Sequence, residues 1–235
     1  MRVDPAHAGP ARIGLWVTML RPFGLEIAAA ARPDWIGIDL QHGDIALADL
    51  ADMVRACERH AIPVAVRAGG HDPAALGRII DTGADAVIVP AVESAAQTEA
   101  IVRATRVPPR GARSTGIARR GLVAASIAEP LVLPMIETAE GLENVDAILD
   151  VDGIDGVFVG PYDLSLSMRA ASPTAAPVVD AIRHVLEAAR TRGLTNGIYS
   201  GDPELTSRMG DVDLLAAGSD VDALRHGLMT VMPRG

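Results

Sequence analysis

Lysine is missing from this chain: all 21 of its basic residues are arginine. Without a side-chain amine no Schiff base can form with a carbonyl compound, so covalent catalysis through a lysine imine is excluded. Cysteine is nearly missing too. Cys57 stands alone in a helical pattern beside charged neighbours, which leaves no disulfide framework and no thiolate metal site, and makes a reducing cytoplasm the expected compartment. Long apolar runs are lacking. None approaches the roughly 18 residues needed to cross a bilayer, and Met1-Arg2-Val3-Asp4-Pro5 lacks the apolar core of a signal peptide. A soluble protein without a membrane partner is the expectation. Basic patches are lacking as well: the net charge is -9 with no stripe of arginine, which argues against a nucleic-acid partner, because phosphate binding relies on clustered cations.

Of the 235 residues, 49% are apolar, enough to bury one full-sized core. Apolar runs of strand length recur eight times, at 12–17, 35–40, 63–67, 86–91, 131–136, 156–161, 195–200 and 212–218. Segments of helical period separate them, such as 47–58 with Leu50, Met53, Val54 and Cys57 on one face, and 178–190 with Ile182, Val185, Leu186 and Ala189. Strand–helix alternation of this kind predicts an α/β fold with a parallel sheet covered on both faces, and eight strands predict a single (β/α)₈ TIM barrel spanning 1–235, with 1–11 as a flexible tail. Asp72 before Pro73, Ser94, and Ser219-Asp220 read as helix starts. A breaker-rich stretch at 108–116 carries Pro, Gly and Arg and is expected to cover a site or a partner subunit, and 170–177 reads as a mobile loop on the rim that holds Asp163.

In such a barrel the strand C-termini converge on one mouth, where residues from separate strands share a point. Glu137 and Asp163 follow the fifth and sixth runs there. They read either as acids favouring a helix N-terminus or as oxygen ligands of a divalent cation, with Mg²⁺ or Mn²⁺ fitting best and Co²⁺ or Zn²⁺ left open. His42 follows the second run, three residues after Asp39. A carboxylate there could take the imidazole N–H and free the other nitrogen for proton transfer, or His42 could simply cap a loop. His71 is a weaker alternative on another rim loop. Arg67 ends the third run, where a buried guanidinium needs an anion: a substrate oxygen, or one of the rim acids in a structural ion pair. Gly160, ending a strand before a helix start, exposes N–H groups to an anion.

Read together, Asp39-Leu40-Gln41-His42-Gly43, Val66-Arg67, Val89-Pro90, Pro108-Pro109-Arg110-Gly111-Ala112-Arg113, Pro134-Met135-Ile136-Glu137-Thr138 and the segment from Gly153 to Ser165 resemble the HpcH/HpaI aldolase family. The resemblance covers about 14–227. It implies a metal-dependent (class II) aldehyde-lyase that reversibly cleaves 4-hydroxy-2-oxo acids to pyruvate or hydroxypyruvate and an aldehyde, through an enolate. It further implies Glu137 and Asp163 as metal ligands, His42 oriented by Asp39 as the acid/base group and Arg67 on the keto or enolate oxygen. Gly160, Pro161, Tyr162 and Gln41 are implied as substrate contacts. A terminal helix exchanged between subunits and a hexamer built from dimers also follow from the resemblance. An oxaloacetate-type decarboxylase on the same site, or a non-catalytic 2-oxo-acid-binding barrel, are the competing expectations. Three departures from the family pattern are visible: Met135 where many relatives have Gln, Gln41 where some have Glu, and a shorter segment between Arg113 and Leu131.

Overall fold

The computed structural model describes residues 10–122, 129–209 and 212–232. Most of the tail expected at 1–11 therefore lies outside the described residues. Eight parallel strands close a barrel in chain order: β1 (Arg12–Val17), β2 (Trp35–Asp39), β3 (Val64–Arg67), β4 (Ala86–Val89), β5 (Leu131–Ile136), β6 (Gly156–Val159), β7 (Thr195–Tyr199) and β8 (Leu214–Ser219). β8 returns to β1 with a register shift between Gly14 and Leu15. The helices between them are α1 (Pro22–Ala29), α2 (Leu50–Glu58), α3 (Pro73–Asp81), α4 (Ala95–Thr105), α5 (Arg119–Leu122), α6 (Ala139–Glu143), α7 (Val145–Leu149), α8 (Pro161–Ser167), α9 (Ala176–Thr191) and α10 (Pro203–Ser207), with α11 (Asp220–Val231) after β8. No described helix is long and apolar enough to cross a membrane.

β-branched runs form these strands because both of their faces are buried. One face meets the helix ring, where Val17, Ile36, Ile38, Val64, Val66, Val87 and Val89 pack against residues such as Leu50, Met53, Leu76 and Ile79. The other face fills the barrel with Trp16, Trp35, Ala65, Ala86, Ile88, Leu133, Met135, Phe158, Leu214 and Ala216. The two indoles occupy space that side chains elsewhere would fill: a Cβ on Gly14 would stand 2.2 Å from the Trp35 ring, and one on Gly37 would stand 2.5 Å from that of Trp16. Helix starts follow local chemistry. Asp72 accepts from Ala75 N at 2.9 Å, Ser94 from Gln97 N at 3.3 Å and Ser219 from Asp222 N at 3.1 Å. Cys57 is buried in α2, and burial, helped by Asp85 and Glu58, pushes its thiol up to about 12, so it is inert.

Of the two places expected for the 108–116 stretch, a site or a partner subunit, the site of its own barrel is excluded. It follows the C-terminus of a helix, so it lies at the N-terminal end of the strands, opposite the mouth. Arg106 is buried there, donating to Gly153 O at 2.9 Å and Pro130 O at 2.8 Å and pairing with Asp155; Arg113 pairs with Asp81 at 3.0 Å, and Arg119 pairs with Glu58. This segment cannot touch the mouth of its own barrel. Residues 123–128 of the shortened segment lie outside the described residues.

α11 is set differently from the other helices. Asp220 is its one buried residue among those described, while Leu224, Leu228, Met229 and Val231 are exposed along its length.

Candidate active site

Asp39 and Arg67 are cross-strand partners in the β2–β3 register. Both side chains enter the barrel mouth and bond to each other: Arg67 Nε donates to Asp39 Oδ1 at 2.9 Å and Nη2 donates to Oδ2 at 2.5 Å. Trp16, at the end of β1, serves both. Its indole Nε1 donates to Asp39 Oδ2 at 3.4 Å, and its ring lies 5.4 Å from the Arg67 guanidinium carbon. Phe158 and Tyr199 pack on the same indole at 5.7 and 5.6 Å, so the pair stands on an aromatic floor. Burial alone would raise the Asp39 carboxyl, but the hydrogen bonds and charge of Arg67, with the N–H groups of Gln41 and His42, hold it below the usual carboxylate range.

This arrangement corrects the expected partner of Asp39. Its carboxylate takes the backbone N–H of Gln41 at 2.9 Å and of His42 at 3.3 Å, not the His42 ring. Asp39 thus shapes the loop that carries His42, whose side chain is exposed, without fixing its tautomer. The ion-pair reading of Arg67 is correct in part: two nitrogens bind Asp39, and among the described residues nothing accepts from Nη1. The Gln41 amide oxygen is buried without a partner. His71 Nε2 lies 2.6 Å from Pro90 O, which makes that nitrogen the donor and leaves Nδ1 bare.

Glu137 follows β5 and is buried. Oε1 accepts the N–H of Ala91 at 2.8 Å, whereas Oε2 is buried with no hydrogen-bond partner among the described residues. Ala91 adopts φ 50°, a left-handed backbone that costs an alanine about 1–2 kcal/mol and that aims its N–H at the carboxylate. Gly160 allows the approach from β6: a Cβ there would stand 2.7 Å from Glu137 Oε2 and 2.7 Å from the Met135 methyl. Burial pushes the Glu137 carboxyl up. The Ala91 N–H opposes this, the charge of Asp163 adds to it, and Arg67 and Asp39 act weakly in opposite directions. Four separate strands thus deliver Asp39, Arg67, Glu137 and Asp163, the other three within electrostatic reach of Glu137. Asp163 is exposed in the first turn of α8, which Pro161 opens, and Tyr162 beside it is exposed. Gly160, Pro161 and Tyr162 therefore lie where the sequence put them, at the rim next to Asp163.

A cation beside a buried carboxylate oxygen that lacks a donor would offset the burial that pushes the Glu137 carboxyl up. Glu137 Oε2 fits one. Among the described residues no cluster of three or more His, Cys, Asp or Glu gathers. A cation held here would have two protein carboxylates and take its remaining ligands from water and substrate, as Mg²⁺ and Mn²⁺ do; structural or catalytic Zn²⁺ sites ordinarily have three or four protein ligands.

Residues 12–226 match the family model described as HpcH/HpaI aldolase/citrate lyase. The chain is 36% identical to the hydroxypyruvate/pyruvate aldolase of Pseudomonas aeruginosa, over 97% of this chain and 90% of that one. It is 34% identical to the 4-hydroxy-2-oxo-heptane-1,7-dioate aldolase of Klebsiella pneumoniae, over 98% and 92%. The crystal structure of an HpcH/HpaI aldolase/citrate lyase family protein from Burkholderia cenocepacia superposes with a TM-score of 0.85 at 28% identity, covering 97% of each chain.

Proposed function

Since the chain belongs to the HpcH/HpaI aldolase/citrate lyase family, we propose that it is a metal-dependent aldolase cleaving 4-hydroxy-2-oxo acids to pyruvate or hydroxypyruvate and an aldehyde, and joining them in reverse. The observation that carries this reading is the unpartnered Glu137 Oε2, placed beside Asp163 and within reach of a guanidinium with one free nitrogen. Glu137 and Asp163 would hold a divalent cation, Mg²⁺, Mn²⁺ or Co²⁺, and the cation would supply Lewis acidity to the 2-oxo acid and acidify its adjacent C–H. Arg67 Nη1 donates to the C2 oxygen as it takes on enolate charge, while Asp39 and Trp16 keep the guanidinium in plane. In cleavage, His42, directly or through a water, removes the C4 hydroxyl proton. The C3–C4 bond then breaks, its electron pair forms the enolate, and the aldehyde leaves. Return of a proton to C3 gives pyruvate. The backbone at Gly160 and Tyr162 and the amide of Gln41 contact the acid.

The exposed apolar face of α11 supports a subunit-exchanged terminal helix, because Leu224, Leu228 and Val231 recur at spacings that line one helix side and are exposed among the described residues. The family resemblance implies a hexamer built from dimers as the assembly.

The test compares pyruvate release from a 4-hydroxy-2-oxo acid with release from oxaloacetate, and follows exchange of pyruvate methyl protons with solvent. Aldol cleavage is expected to exceed decarboxylation. His42→Ala should slow both cleavage and exchange by about 10²–10⁴-fold, the usual worth of a positioned acid/base group. Faster decarboxylation would make the protein an oxaloacetate-type enzyme. Unchanged exchange in His42→Ala would move the proton-transfer role to His71, and no turnover with any divalent cation would leave only a binding barrel.

A further inference from the structure

Asp220 is a buried carboxylate that the proposed reaction does not use. It begins α11 beside β1 and bonds across 202 residues of sequence to the loop after that strand. It accepts Thr18 N at 3.0 Å, Thr18 Oγ1 at 2.9 Å, Met19 N at 2.9 Å and Leu20 N at 2.9 Å, and also Val221 N at 2.9 Å within its own helix. No cation pairs with it among the described residues, so its charge rests on backbone N–H donors, which are strong partners for a carboxylate. The tie continues onward. Thr18 O accepts the N–H of Asp44 at 2.7 Å, and a Cβ on Gly43 would stand 2.7 Å from that same oxygen and 2.6 Å from Asp39 O. Gly43 is therefore seated between the Thr18 and Asp39 carbonyls. His42 has its N–H on the Asp39 carboxylate on one side and Gly43 held against Thr18 on the other.

We propose that Asp220 is a positioning residue for proton transfer: it fixes the 18–20 loop, whose Thr18 carbonyl locks the Gly43–Asp44 turn and thereby sets where the His42 imidazole stands. The inference rests on the reading of His42 as the proton-transfer group. Asp39 alone restrains only the near side of that loop, through hydrogen bonds to Gln41 and His42. The far side is held by the chain of bonds that starts at Asp220. Asparagine at this place would offer one acceptor oxygen to four backbone donors and turn an amide N–H₂ toward the others.

The experiment uses full-length protein loaded with Mn²⁺ and measures exchange of pyruvate methyl protons in the wild type, Asp220→Asn, His42→Ala and the double variant. Exchange in Asp220→Asn should fall by about 10- to 100-fold, the scale of a small misplacement of a catalytic group. Mn²⁺ affinity should stay at the wild-type value, because Glu137 and Asp163 follow other strands. The double variant should exchange no more slowly than His42→Ala alone, since residues that act as a unit are not additive. Wild-type exchange in Asp220→Asn, or a full extra loss in the double variant, overturns the inference while leaving the proposed function intact. An unaffected His42→Ala overturns both. If Asp220→Asn does not fold, Gly43→Ala carries the same test, because it separates the turn from Thr18 with Asp220 in place; wild-type exchange there overturns the inference.

Discussion

Glu137→Gln is expected to lose turnover and, in the metal-free protein, to gain stability. Loss of one of the two carboxylates would weaken the proposed cation site, and Lewis-acid assistance worth several kcal/mol corresponds to on the order of 10³-fold or more in rate. Asp163→Asn should lose activity to a similar degree. Chelation with EDTA should silence the wild type, and Mg²⁺, Mn²⁺ or Co²⁺ should restore it. The stability gain has a separate origin. Burial holds the Glu137 carboxyl above its ordinary range, so the folded state binds this proton more tightly than the unfolded chain does. Glu137 therefore costs nothing at acid pH. A penalty appears as pH rises through the ordinary glutamate range and is complete above the raised folded value. A neutral amide of the same shape avoids it, and each kcal/mol recovered should raise Tm by roughly 2–4 °C in a chain of this size. Melting curves of EDTA-treated wild type and variant at acid and neutral pH measure this. Turnover that survives chelation, or a variant that melts below the wild type at neutral pH, would sink the metal-site reading.

Arg67→Lys is the second large effect. Lysine keeps the charge but has no planar fork, so it cannot span both Asp39 oxygens and present a further donor to the substrate. Loss of one donor aimed at a developing oxyanion costs about 10²–10³-fold in kcat. In the proposed mechanism ground-state binding of the acid would also use the cation and the α8 backbone, so kcat should fall more than KM rises. The same change strands part of the Asp39 carboxylate, and a buried acceptor left without its donor costs about 1–3 kcal/mol. Steady-state kinetics beside a denaturant titration separates the two losses. A rise in KM alone would make Arg67 a clamp for the substrate carboxylate, and unchanged kinetics with lost stability would make its bond to Asp39 its entire role.

Strand order and the mouth residues were legible because a barrel strand buried on both faces leaves a continuous apolar run: 12–17 and 131–136 coincide with β1 and β5, and the other six differ only at their ends. The partner of Asp39 was not legible. His42 is three residues away in sequence and Arg67 is 28, yet the β2–β3 register places Arg67 directly opposite, and a single strand contains no information on that register. Ala91 gives no signal at all, since alanine has no preference for the left-handed backbone it adopts. The reading of the 108–116 stretch as a cover for its own barrel's site failed for a different reason. Its Arg, Gly and Pro content looks like an active-site loop, but its position after α4 puts it at the closed end, and in a βα repeat that positional rule outweighs composition.

The closure of the barrel has a kinetic consequence. Each strand pairs with its neighbours in sequence except at the β1–β8 seam, where Thr18 and Asp220 meet from opposite ends of the chain. Neighbouring βα units can form early from contacts of short range, whereas the seam must wait until the intervening units have brought its edges together. Contacts made after the rate-limiting step affect unfolding and leave folding almost untouched. Thr18→Val, which removes one seam bond, should therefore unfold faster in denaturant jumps and refold at nearly the wild-type rate; a slowed refolding limb would place the seam inside the folding nucleus. The bond that holds the rim loop in place is then also the latch that keeps the ring shut.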